Sequence, residues 1–487
     1  MNQQATTRIE VEPHIFVVFG GTGDLMRRKL LPALRHLASR GHLGKRSIIL
    51  GVARNAELND ESFRALAREA LAASPSPAYE ADGKWCAECL FYQTIGKGTQ
   101  ENFRALAARI EELEGAHKLP GNRAIYLALG PGAFPSTIMR LAEARLNRSP
   151  GWTRLVIEKP FGRDLASAKE LNQILHRHFQ ESQVYRIDHY LGKETVQNLL
   201  AFRFANALFE SVWNRDRVES VEITVAESLG IGTRAGYYEN AGALRDMVQN
   251  HLTQLLTLTA MEVPAAFDAD AIRDEKVKVL RSIVPIRKEG VVFGQYDSGK
   301  IDGEAVPGYL EEPGVASDSQ TESFAALRIE IANWRWQGVP FYLRTGKRMA
   351  ERVSRIEVKF RCSPVTFFQP FDDCNVHSNA LVITLQPDEG FDLRFEIKSP
   401  GQGMNLKTHQ LSFRYEEAFE PLPDGYQTLL LDVLTGDQTL FVRDDEVEAA
   451  WRLYTPLLEE RLPVSPYTAG SWGPPEAKRL LGGGEDR

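Results

Sequence analysis

The stretch HIFVVFGGTGDL, residues 14–25, decides the fold predicted for this chain. Its first six residues form a short apolar run rich in β-branched side chains, which is typical of a buried strand. Glycines at 20, 21 and 23 interrupt the run, and helix-like periodicity begins at Leu25. A strand, a glycine turn and a helix in this order predict the start of a doubly wound sheet, whose backbone can approach a pyrophosphate closely.

The same alternation of strand-like and helix-like segments continues to about residue 187. The apolar run SIILGVA at 47–53 precedes a helix-like segment capped by Asn59 and Asp60, and the strand-like runs AIYLALG and RLVIEKP follow. Strands that alternate with helices pack as a parallel sheet covered by those helices. We therefore predict an N-terminal Rossmann-like α/β domain over residues 1–187.

From residue 188 the pattern changes to that of an α+β domain. A helical stretch begins at Glu194, and the strand-like segment VESVEITVAES and a periodic helix over 242–261 follow. Later segments such as FAALRIEIANW, RIEVKFRC and FDLRFEIKS alternate with no helices of the βαβ kind between them. This predicts a larger domain over residues 188–487, with a mainly antiparallel sheet and helices.

Composition and charge exclude several classes of function. The chain of 487 residues has 58 basic and 65 acidic side chains and a net charge of −7, which argues against a nucleic-acid partner. It shows no signal-peptide pattern and no apolar run long enough to span a membrane. Cys86 and Cys89 form a CxxC, but Cys362 and Cys374 supply no second pair, so we predict no metal site. A cytoplasmic protein without a membrane partner is expected.

The residues that follow the glycine turn indicate an anionic ligand. Arg27, Arg28 and Lys29 lie in the first turns of the predicted helix, where the helix dipole disfavours cations unless an anion binds nearby. The alternative is a solvated basic face beside an ordinary tight turn. Pro32 does not fit the interior of this helix and should kink or restart it.

Arg54 indicates which dinucleotide binds. It follows the second predicted strand, where dinucleotide-binding folds contact the adenosine ribose. An acidic residue there would favour NAD, whereas arginine can form charge-assisted hydrogen bonds to a 2′-phosphate. NADP is therefore the predicted cofactor and NAD a weaker alternative, unless Arg54 is a surface residue without a role.

The segment RIDHYLGKE, residues 186–194, collects cations at the predicted domain boundary. Arg186 and Lys193 are strong phosphate donors, and His189 and Tyr190 add shorter polar side chains. Such a junction lies near the mouth of a cleft in a two-domain dehydrogenase. A polar interdomain linker is an equally good interpretation of this segment taken alone.

The helix predicted over 242–261 carries a histidine on its apolar stripe. Leu244, Val248 and Leu255 recur at helical spacing, and His251 lies among them. A lone histidine on such a face is more often a core residue than a catalyst. Asp246 would lie about 140° away around a helix that turns 100° per residue, so the two side chains would share a site only at the inner edge of the helix.

Taken together, several of these segments resemble the glucose-6-phosphate dehydrogenase family. The matching strings occur in the family's order over nearly the whole chain: GGTGDLMRRK, GVAR, VIEKPFGRDL, RIDHYLGKE, FRFANALFESVWNRD, AGALRDMVQNH, GQY, VPFYLRTGKRM and WRLYTPLLE. The resemblance implies oxidation of D-glucose 6-phosphate at C1 to 6-phospho-D-glucono-1,5-lactone, with hydride transfer to NADP. That reaction is the first step of the pentose phosphate pathway.

The resemblance also implies roles for individual residues. His251 matches the general base and Asp188 the carboxylate that orients it. The implied substrate contacts are Lys159, His189, Tyr190, Lys193, Glu227, Asp246, Lys347 and Arg352. The implied cofactor contacts are Gly20, Gly21, Thr22, Gly23, Asp24, Leu25, Lys29, Arg54 and Lys159. A cis peptide bond before Pro160 and a homodimer or homotetramer are implied as well.

Two other functions stay open at this point. A sugar oxidoreductase of the glucose–fructose oxidoreductase type also combines a dinucleotide domain with an antiparallel sheet and a Glu-Lys-Pro segment, and it would accept an unphosphorylated sugar. A non-catalytic dinucleotide sensor could keep the same fold. The cations of RIDHYLGKE argue against the first, and the presence of both Asp188 and His251 argues against the second.

Overall fold

The computed structural model describes residues 10–74, 82–362, 377–401 and 405–482, which form two compact units. The first unit comprises Met1–Lys193, Asp268–Arg273 and Pro423–Val447, and the second comprises Glu194–Phe267, Asp274–Leu422 and Glu448–Arg487. Two late segments thus belong to the first unit, although the sequence pattern gave no sign of this. The functional boundary between residues 187 and 188 stays a prediction, and Cys374 lies outside the described residues.

The first unit contains a parallel sheet of six strands among the described residues. The strands are β1 His14–Phe19, β2 Ser47–Ala53, β3 Leu90–Thr94, β4 Arg123–Leu127, β5 Thr153–Glu158 and β6 Val184–Ile187. They lie in the order β3-β2-β1-β4-β5-β6, and every neighbouring pair is parallel. This is the strand order of the Rossmann fold, so the predicted doubly wound domain is confirmed. The sequence pattern does not mark β3 or β6, which are short.

The helices of the first unit begin with a π-helical turn, Met26–Leu30. The α-helices are Leu31–Ser39, Asp60–Ala72, Asp82–Cys89, Gln100–His117, Phe134–Glu143, Leu165–His178 and Gly425–Thr435. The 3₁₀ turns are Pro131–Ala133 and Glu181–Gln183. Pro32 lies in the first turn of its α-helix, where a missing backbone N–H leaves no hydrogen bond unmade. The change from π-helix to α-helix at residue 31 therefore accommodates the proline, which did not fit the interior of one continuous α-helix.

The second unit contains a sheet of nine strands within the described part of the chain. The strands of this unit are β7 Val218–Ala226, β8 Val291–Asp297, β9 Gly299–Ile301, β10 Glu304–Val306, β11 Phe324–Glu330, β12 Pro340–Gly346, β13 Val353–Phe360, β14 Ala380–Gln386, β15 Gly390–Lys398, β16 Leu406–Arg414 and β17 Val464–Thr468. The order is β16-β15-β14-β13-β7-β12-β11-β8-β17, and β9 pairs with β10 separately. The pairs β7–β12 and β8–β17 are parallel and the others antiparallel, which confirms a mainly antiparallel sheet.

The helices of the second unit surround one fully packed segment. A π-helix, Leu244–Leu252, continues into the α-helix Thr253–Ala260, and nearly every residue of the two is buried. The other helices are Glu194–Phe204, Ala207–Glu210, Ala235–Tyr238, Tyr415–Ala418 and Pro475–Leu480, with 3₁₀ turns at Gly232–Arg234, Lys288–Gly290 and Tyr309–Glu311. Ala269–Ser282 and Asp444–Glu459 contribute residues to both units. Among the described helices, none has the length and apolar character needed to cross a membrane.

Candidate functional site

The glycine turn after β1 is held so tightly that side chains are excluded from it. Gly20 has a φ of 83°, and a Cβ on it would lie 2.2 Å from the carbonyl oxygen of Ala128. A Cβ on Gly21 would lie 2.7 Å from the Cα of Gly51. The Gly23 N–H donates a hydrogen bond of 2.8 Å to the Gly20 carbonyl oxygen, which closes the turn. The bare backbone of this turn is therefore available to a ligand.

A cleft of about 650 Å³ lies beside this turn at the carboxyl ends of the strands. Four of the residues predicted to contact the cofactor line it: Gly20, Thr22, Gly23 and Arg54. The basic side chains of Lys97 and Arg140 also line it, although the sequence analysis had not predicted them. The volume is in the range of small-molecule and cofactor pockets. Bare backbone and several cations in one cleft fit an anionic dinucleotide.

Five predicted cofactor residues are not among those that line the cleft: Gly21, Asp24, Leu25, Lys29 and Lys159. Arg27 and Arg28 are exposed and lie 3.9 and 3.6 Å from the carboxylates of Glu69 and Asp24, and Lys29 forms an ion pair of 2.8 Å with Asp424. The three cations therefore have carboxylate neighbours, and a bound phosphate is not needed to explain them. Gly21 packs against the second strand, whereas Leu25 is partly buried at the helix start.

The turn that follows β6 carries the predicted catalytic carboxylate and three predicted substrate residues, whereas the partly buried Lys159 directly follows β5. Asp188 is 2% exposed, and its Oδ1 accepts a hydrogen bond of 3.0 Å from the backbone N–H of Tyr190. The Nζ of Lys193 lies 4.7 Å from the centre of the Tyr190 ring, and the His189 ring lies 5.1 Å from it. The structure thus brings Asp188, His189, Tyr190 and Lys193 together in one turn.

Arg186 does not act as the phosphate donor that the sequence suggested. Its side chain is 1% exposed and forms hydrogen bonds of 2.5 and 3.1 Å to Glu181. A further bond of 3.0 Å joins it to the side chain of Asn172. The guanidinium lowers the pKa of Glu181 against the opposing effect of burial. Arg186 therefore stabilises the packing around β6, and the prediction for it was wrong.

In the second unit, a parallel strand pair places two predicted residues side by side. Ala226 at the end of β7 pairs with Gly346 at the end of β12, so Glu227 and Lys347 follow at the same edge. The Nζ of Lys347 donates a hydrogen bond of 2.5 Å to Glu227 Oε2. Lys347 is only 2% exposed, and its Nζ lies 5.2 Å from the centre of the Tyr238 ring. The pair presents a buried cation and a partly exposed carboxylate to this edge.

Asp246 and His251 lie on the π-helix Leu244–Leu252, which corrects their predicted separation. Residues i and i+5 are hydrogen-bonded neighbours along a π-helix, so the angle of about 140° expected from α-helical geometry does not apply. Both side chains are buried, at 7% and 1% exposed. The hydroxyl of Tyr237 donates a bond of 3.1 Å to Asp246 Oδ1, and burial together with this carboxylate raises the pKa of Tyr237.

Tyr237 and Tyr238 are residues that the sequence analysis missed, since the string AGYYEN has no spacing that marks a site. Burial, followed by the charge of Asp246, raises the pKa of Tyr238, so its hydroxyl stays protonated at neutral pH. Arg352 is exposed immediately before β13, and its predicted role stays a prediction. The peptide bond between Lys159 and Pro160 is cis, as predicted.

The CxxC pair has the properties of a packed core rather than of a redox site. Cys86 and Cys89 are 0% and 4% exposed. Burial, with a smaller effect from Glu88, raises the pKa of the Cys89 thiol to about 11. The thiolate is the reactive form of cysteine, so this thiol is unreactive at neutral pH.

The Rossmann strand order, the glycine turn and the basic cleft define the class of the protein, a dinucleotide-binding protein with a second unit that gathers acid–base side chains. Comparison with protein families identifies the members of that class to which it is related. Residues 17–198 match "Glucose-6-phosphate dehydrogenase, NAD binding domain" and residues 200–486 match "Glucose-6-phosphate dehydrogenase, C-terminal domain". The chain belongs to the glucose-6-phosphate dehydrogenase family.

Individual relatives agree over the full length of the chain. Glucose-6-phosphate 1-dehydrogenase of Aggregatibacter actinomycetemcomitans is 45% identical over 97% of this chain and 96% of its own length. The enzyme of the same name from Rhizobium meliloti is 47% identical, with 97% of each chain covered. A solved structure of "Glucose-6-phosphate dehydrogenase in complex with its substrate glucose-6-phosphate" is 37% identical, with a TM-score of 0.89 and 98% of each chain covered. The resemblance inferred from the sequence is confirmed, and the two alternative functions are not favoured.

Proposed function

We propose that this chain is an oxidoreductase that converts D-glucose 6-phosphate at C1 to 6-phospho-D-glucono-1,5-lactone with NADP as hydride acceptor. The observation that carries the proposal is the match of both halves of the chain to one enzyme family, with relatives 45% and 47% identical over its full length. The related solved structure that contains glucose 6-phosphate supports the same substrate here.

The first step of the proposed mechanism is removal of the proton from the C1 hydroxyl group. His251 takes this proton, because a neutral imidazole is a base that titrates close to neutral pH. Asp188 orients the ring and stabilises the imidazolium that forms. NADP, when bound, accepts the hydride that leaves C1. The buried position of His251 supports this role, since a base sheltered from water is held in one orientation.

The substrate is bound at its two ends by different side chains in this proposal. His189, Tyr190 and Lys193 bind the phosphate group, and Glu227, Asp246, Lys347 and Arg352 surround the sugar or its phosphate. Lys159 lies between sugar and cofactor. The phosphate is remote from C1, so its binding energy can position the reacting carbon and raise turnover as well as affinity.

The proposed cofactor site fits the structure of the first unit. Residues 1–187 form the NADP-binding domain and residues 188–487 the domain for substrate binding and dimerisation. A Cβ on Gly20 would collide with the neighbouring backbone, so no side chain is present at this position. A phosphate can therefore approach the backbone there. Arg54 lines the same cleft and can bind a 2′-phosphate, which favours NADP over NAD.

We also propose a cytoplasmic homodimer or homotetramer. Exposed apolar side chains near the outer edge of the second sheet support self-association, because Leu411 on β16 and Phe419 beyond it are 62% and 60% exposed. The low cysteine content supports a reducing compartment. Light scattering of the purified protein would give its mass in solution, and a monomeric mass would contradict the proposed assembly.

One assay tests the proposed reaction. The absorbance of reduced nicotinamide is followed with glucose 6-phosphate or glucose as substrate, each with NADP or NAD. We expect rapid reduction of NADP with glucose 6-phosphate and very slow reduction with glucose. Equal oxidation of glucose and glucose 6-phosphate would favour the glucose–fructose oxidoreductase type. Tight binding of NADP, with no reduction of the cofactor in any of the four mixtures, would favour a sensor.

A further inference from the structure

A buried hydrogen-bond network in the first unit ends against the predicted phosphate-binding turn. Glu158 is the last residue of β5, and its Oε1 accepts hydrogen bonds from the hydroxyls of Tyr126, at 2.5 Å, and Tyr426, at 3.1 Å. Tyr126 on β4 is 0% exposed, and Tyr426 is 8% exposed in the first turn of the helix Gly425–Thr435. Three segments far apart in the sequence therefore meet at one carboxylate oxygen.

Tyr426 connects this carboxylate to a residue of the predicted substrate site. Its ring lies parallel to the imidazole of His189, with an interplanar angle of 6° and ring centres 6.2 Å apart. The backbone around the pair is closely packed as well. A Cβ on Gly425 would lie 2.9 Å from the His189 carbonyl oxygen, and a Cβ on Gly192 would lie 2.3 Å from the Gly425 carbonyl oxygen. The tyrosine ring and the histidine turn thus form one rigid contact.

The start of the Tyr426 helix is fixed from a second direction. The Oδ1 of Asp424 accepts a hydrogen bond of 3.0 Å from the Tyr426 N–H, and its Oδ2 forms the ion pair of 2.8 Å with Lys29. These contacts hold the backbone of Tyr426. The hydroxyl bond to Glu158 then restricts rotation of the side chain about its Cα–Cβ bond, because that rotation moves the hydroxyl oxygen.

The state of Glu158 suits it to accept both hydrogen bonds. Burial raises the pKa of its carboxyl group, while the two tyrosine donors and Lys159 oppose that shift by favouring the ionised form. Burial and the charge of Glu158 raise the pKa of both tyrosine hydroxyls, which therefore remain donors. A buried carboxylate with two donors is costly to disturb, so the network defines one geometry.

We propose that Glu158 is a positioning residue for substrate phosphate, acting through Tyr426 on the imidazole of His189. The bond from the Tyr426 hydroxyl to Glu158 holds the tyrosine ring in its place beside His189, and the packed tyrosine ring in turn restricts the direction in which the His189 N–H meets the phosphate. The inference rests on the proposed function, because it takes His189 as a ligand of the substrate phosphate. It adds one carboxylate and one tyrosine to the residues proposed to determine phosphate binding.

The test compares two single-atom deletions in the purified enzyme, Tyr426→Phe and Tyr126→Phe. Each removes one hydroxyl donor from the same Glu158 oxygen, but of the two it is Tyr426 whose ring faces His189. We expect Tyr426→Phe to raise KM for glucose 6-phosphate by about 3–10-fold with kcat within about twofold, which corresponds to part of one charged hydrogen bond. Tyr126→Phe should change KM by less than about twofold.

A second readout separates positioning from general loss of structure. With glucose, which has no phosphate, both variants should retain the kcat/KM of the parent enzyme, measured at high enzyme concentration. Inhibition by inorganic phosphate competing with glucose 6-phosphate should weaken in Tyr426→Phe by the same factor as KM rises. Equal KM changes in the two variants, or an equal loss towards glucose, would overturn the proposal.

The double variant Tyr426→Phe with Glu158→Gln completes the test. If the two residues act along one path, the double variant should have the KM of whichever single variant has the higher KM. The two increases in KM should not multiply. Additive effects would overturn the path from Glu158 through Tyr426. A parent enzyme that does not oxidise glucose 6-phosphate would instead contradict the proposed function, and that result is distinct because it precedes any comparison of variants.

Discussion

The glycine turn of the first unit and the π-helix of the second present ligand-binding groups in opposite ways. In the turn, side chains are excluded, since a Cβ on Gly20 would lie 2.2 Å from a carbonyl oxygen, and the backbone itself faces the cleft. In the π-helix, the backbone is fully packed, and the proposed ligand-binding and catalytic groups are the buried side chains of Asp246 and His251. The first arrangement is set by local sterics and the second by packing over a whole unit.

The difference teaches which features a sequence can reveal. A glycine is favoured where φ is positive or a second backbone lies close, so Gly20, Gly21 and Gly23 are visible in the sequence alone. In contrast, the π-helical rather than α-helical period of Leu244–Leu252 is a consequence of tertiary packing. The stripe of Leu244 and Val248 is equally compatible with an α-helix. The following five substitutions test this comparison, in order of decreasing expected effect.

The largest effect is expected in the π-helix, where the proposed base is a single side chain. His251→Asn should lower kcat by about 10²–10⁴-fold, because asparagine cannot accept a proton at neutral pH. The acidic limb of the pH–rate profile should disappear as well. Steady-state kinetics from pH 5 to 9, with thermal unfolding to confirm the fold, measure both effects.

Asp188→Asn is the matched companion of that substitution. It should lower kcat through the same histidine, and the acidic limb should move to lower pH because the carboxylate no longer favours the imidazolium. The double variant should be little worse than His251→Asn alone, since two groups that act as one unit are disabled by either loss. Near-parent turnover in His251→Asn would instead make this histidine a core residue.

On the side of the glycine turn, Arg54 should decide the choice of cofactor. A charge-assisted hydrogen bond contributes about 1.5–3 kcal/mol, so Arg54→Ala should weaken NADP binding by about 10–100-fold and NAD binding little. Titration calorimetry with each cofactor gives the ratio. Arg28→Ala is the control, because this exposed arginine lies 3.6 Å from Asp24 outside the cleft lining. Equal losses of affinity for NADP and NAD would show that Arg54 does not determine the choice of cofactor.

The turn itself can be disrupted by one methyl group. Gly20→Ala places a side chain at a φ of 83° and against the Ala128 carbonyl, and it should destabilise the protein by about 1–3 kcal/mol while weakening NADP. Gly130→Ala in the same cleft is the control, since its Cβ would meet no atom within 4 Å among the described residues. Urea unfolding and NADP titration of both variants make the comparison, and similar behaviour would contradict the steric argument.

The smallest effect concerns a second buried histidine, His14, at the start of the strand that leads into the turn. Burial, reinforced by the charge of Arg154, lowers the pKa of His14 from 6.5 to about 4, against a hydrogen bond to the Glu12 carbonyl. As the pH falls, the unfolded chain therefore binds this proton at a higher pH than the folded chain does. The contribution of His14 to the free energy of unfolding is complete above pH 6.5 and declines as the pH falls.

At pH 5.5 this decline should reach about 1.4 kcal/mol, and His14→Gln should abolish that part of the pH dependence. Urea unfolding at pH 7.5 and 5.5 measures it, with the exposed His409→Gln as the control. An unchanged pH dependence in His14→Gln would mean that the ring is protonated in the folded protein.

The sequence predicted the two folds and nominated most of the residues discussed for the site, but it did not show which partners folding would give them. Arg186 was assigned to a phosphate because its buried partner Glu181 does not form a recognisable local pattern with it, and the carboxylate neighbour of Lys29 was not predicted either. Glu181 lies in the turn before β6, Asp424 is almost 400 residues beyond Lys29, and in both cases folding creates the pair. Tyr426 was missed for the same reason, since nothing near it in the sequence refers to His189.

The parallel pairing of β7 with β12 has a consequence for how the family's sequences can change. Glu227 and Lys347 are neighbours solely because Ala226 is in register with Gly346. Inserting or deleting one residue within either strand would turn one of the two side chains to the opposite face of the sheet. The loops of the intervening chain, outside its helices and strands, are free of that restriction, because the entropy of closing a loop grows slowly with its length. Length variation among relatives should therefore concentrate between these strands and be absent within them.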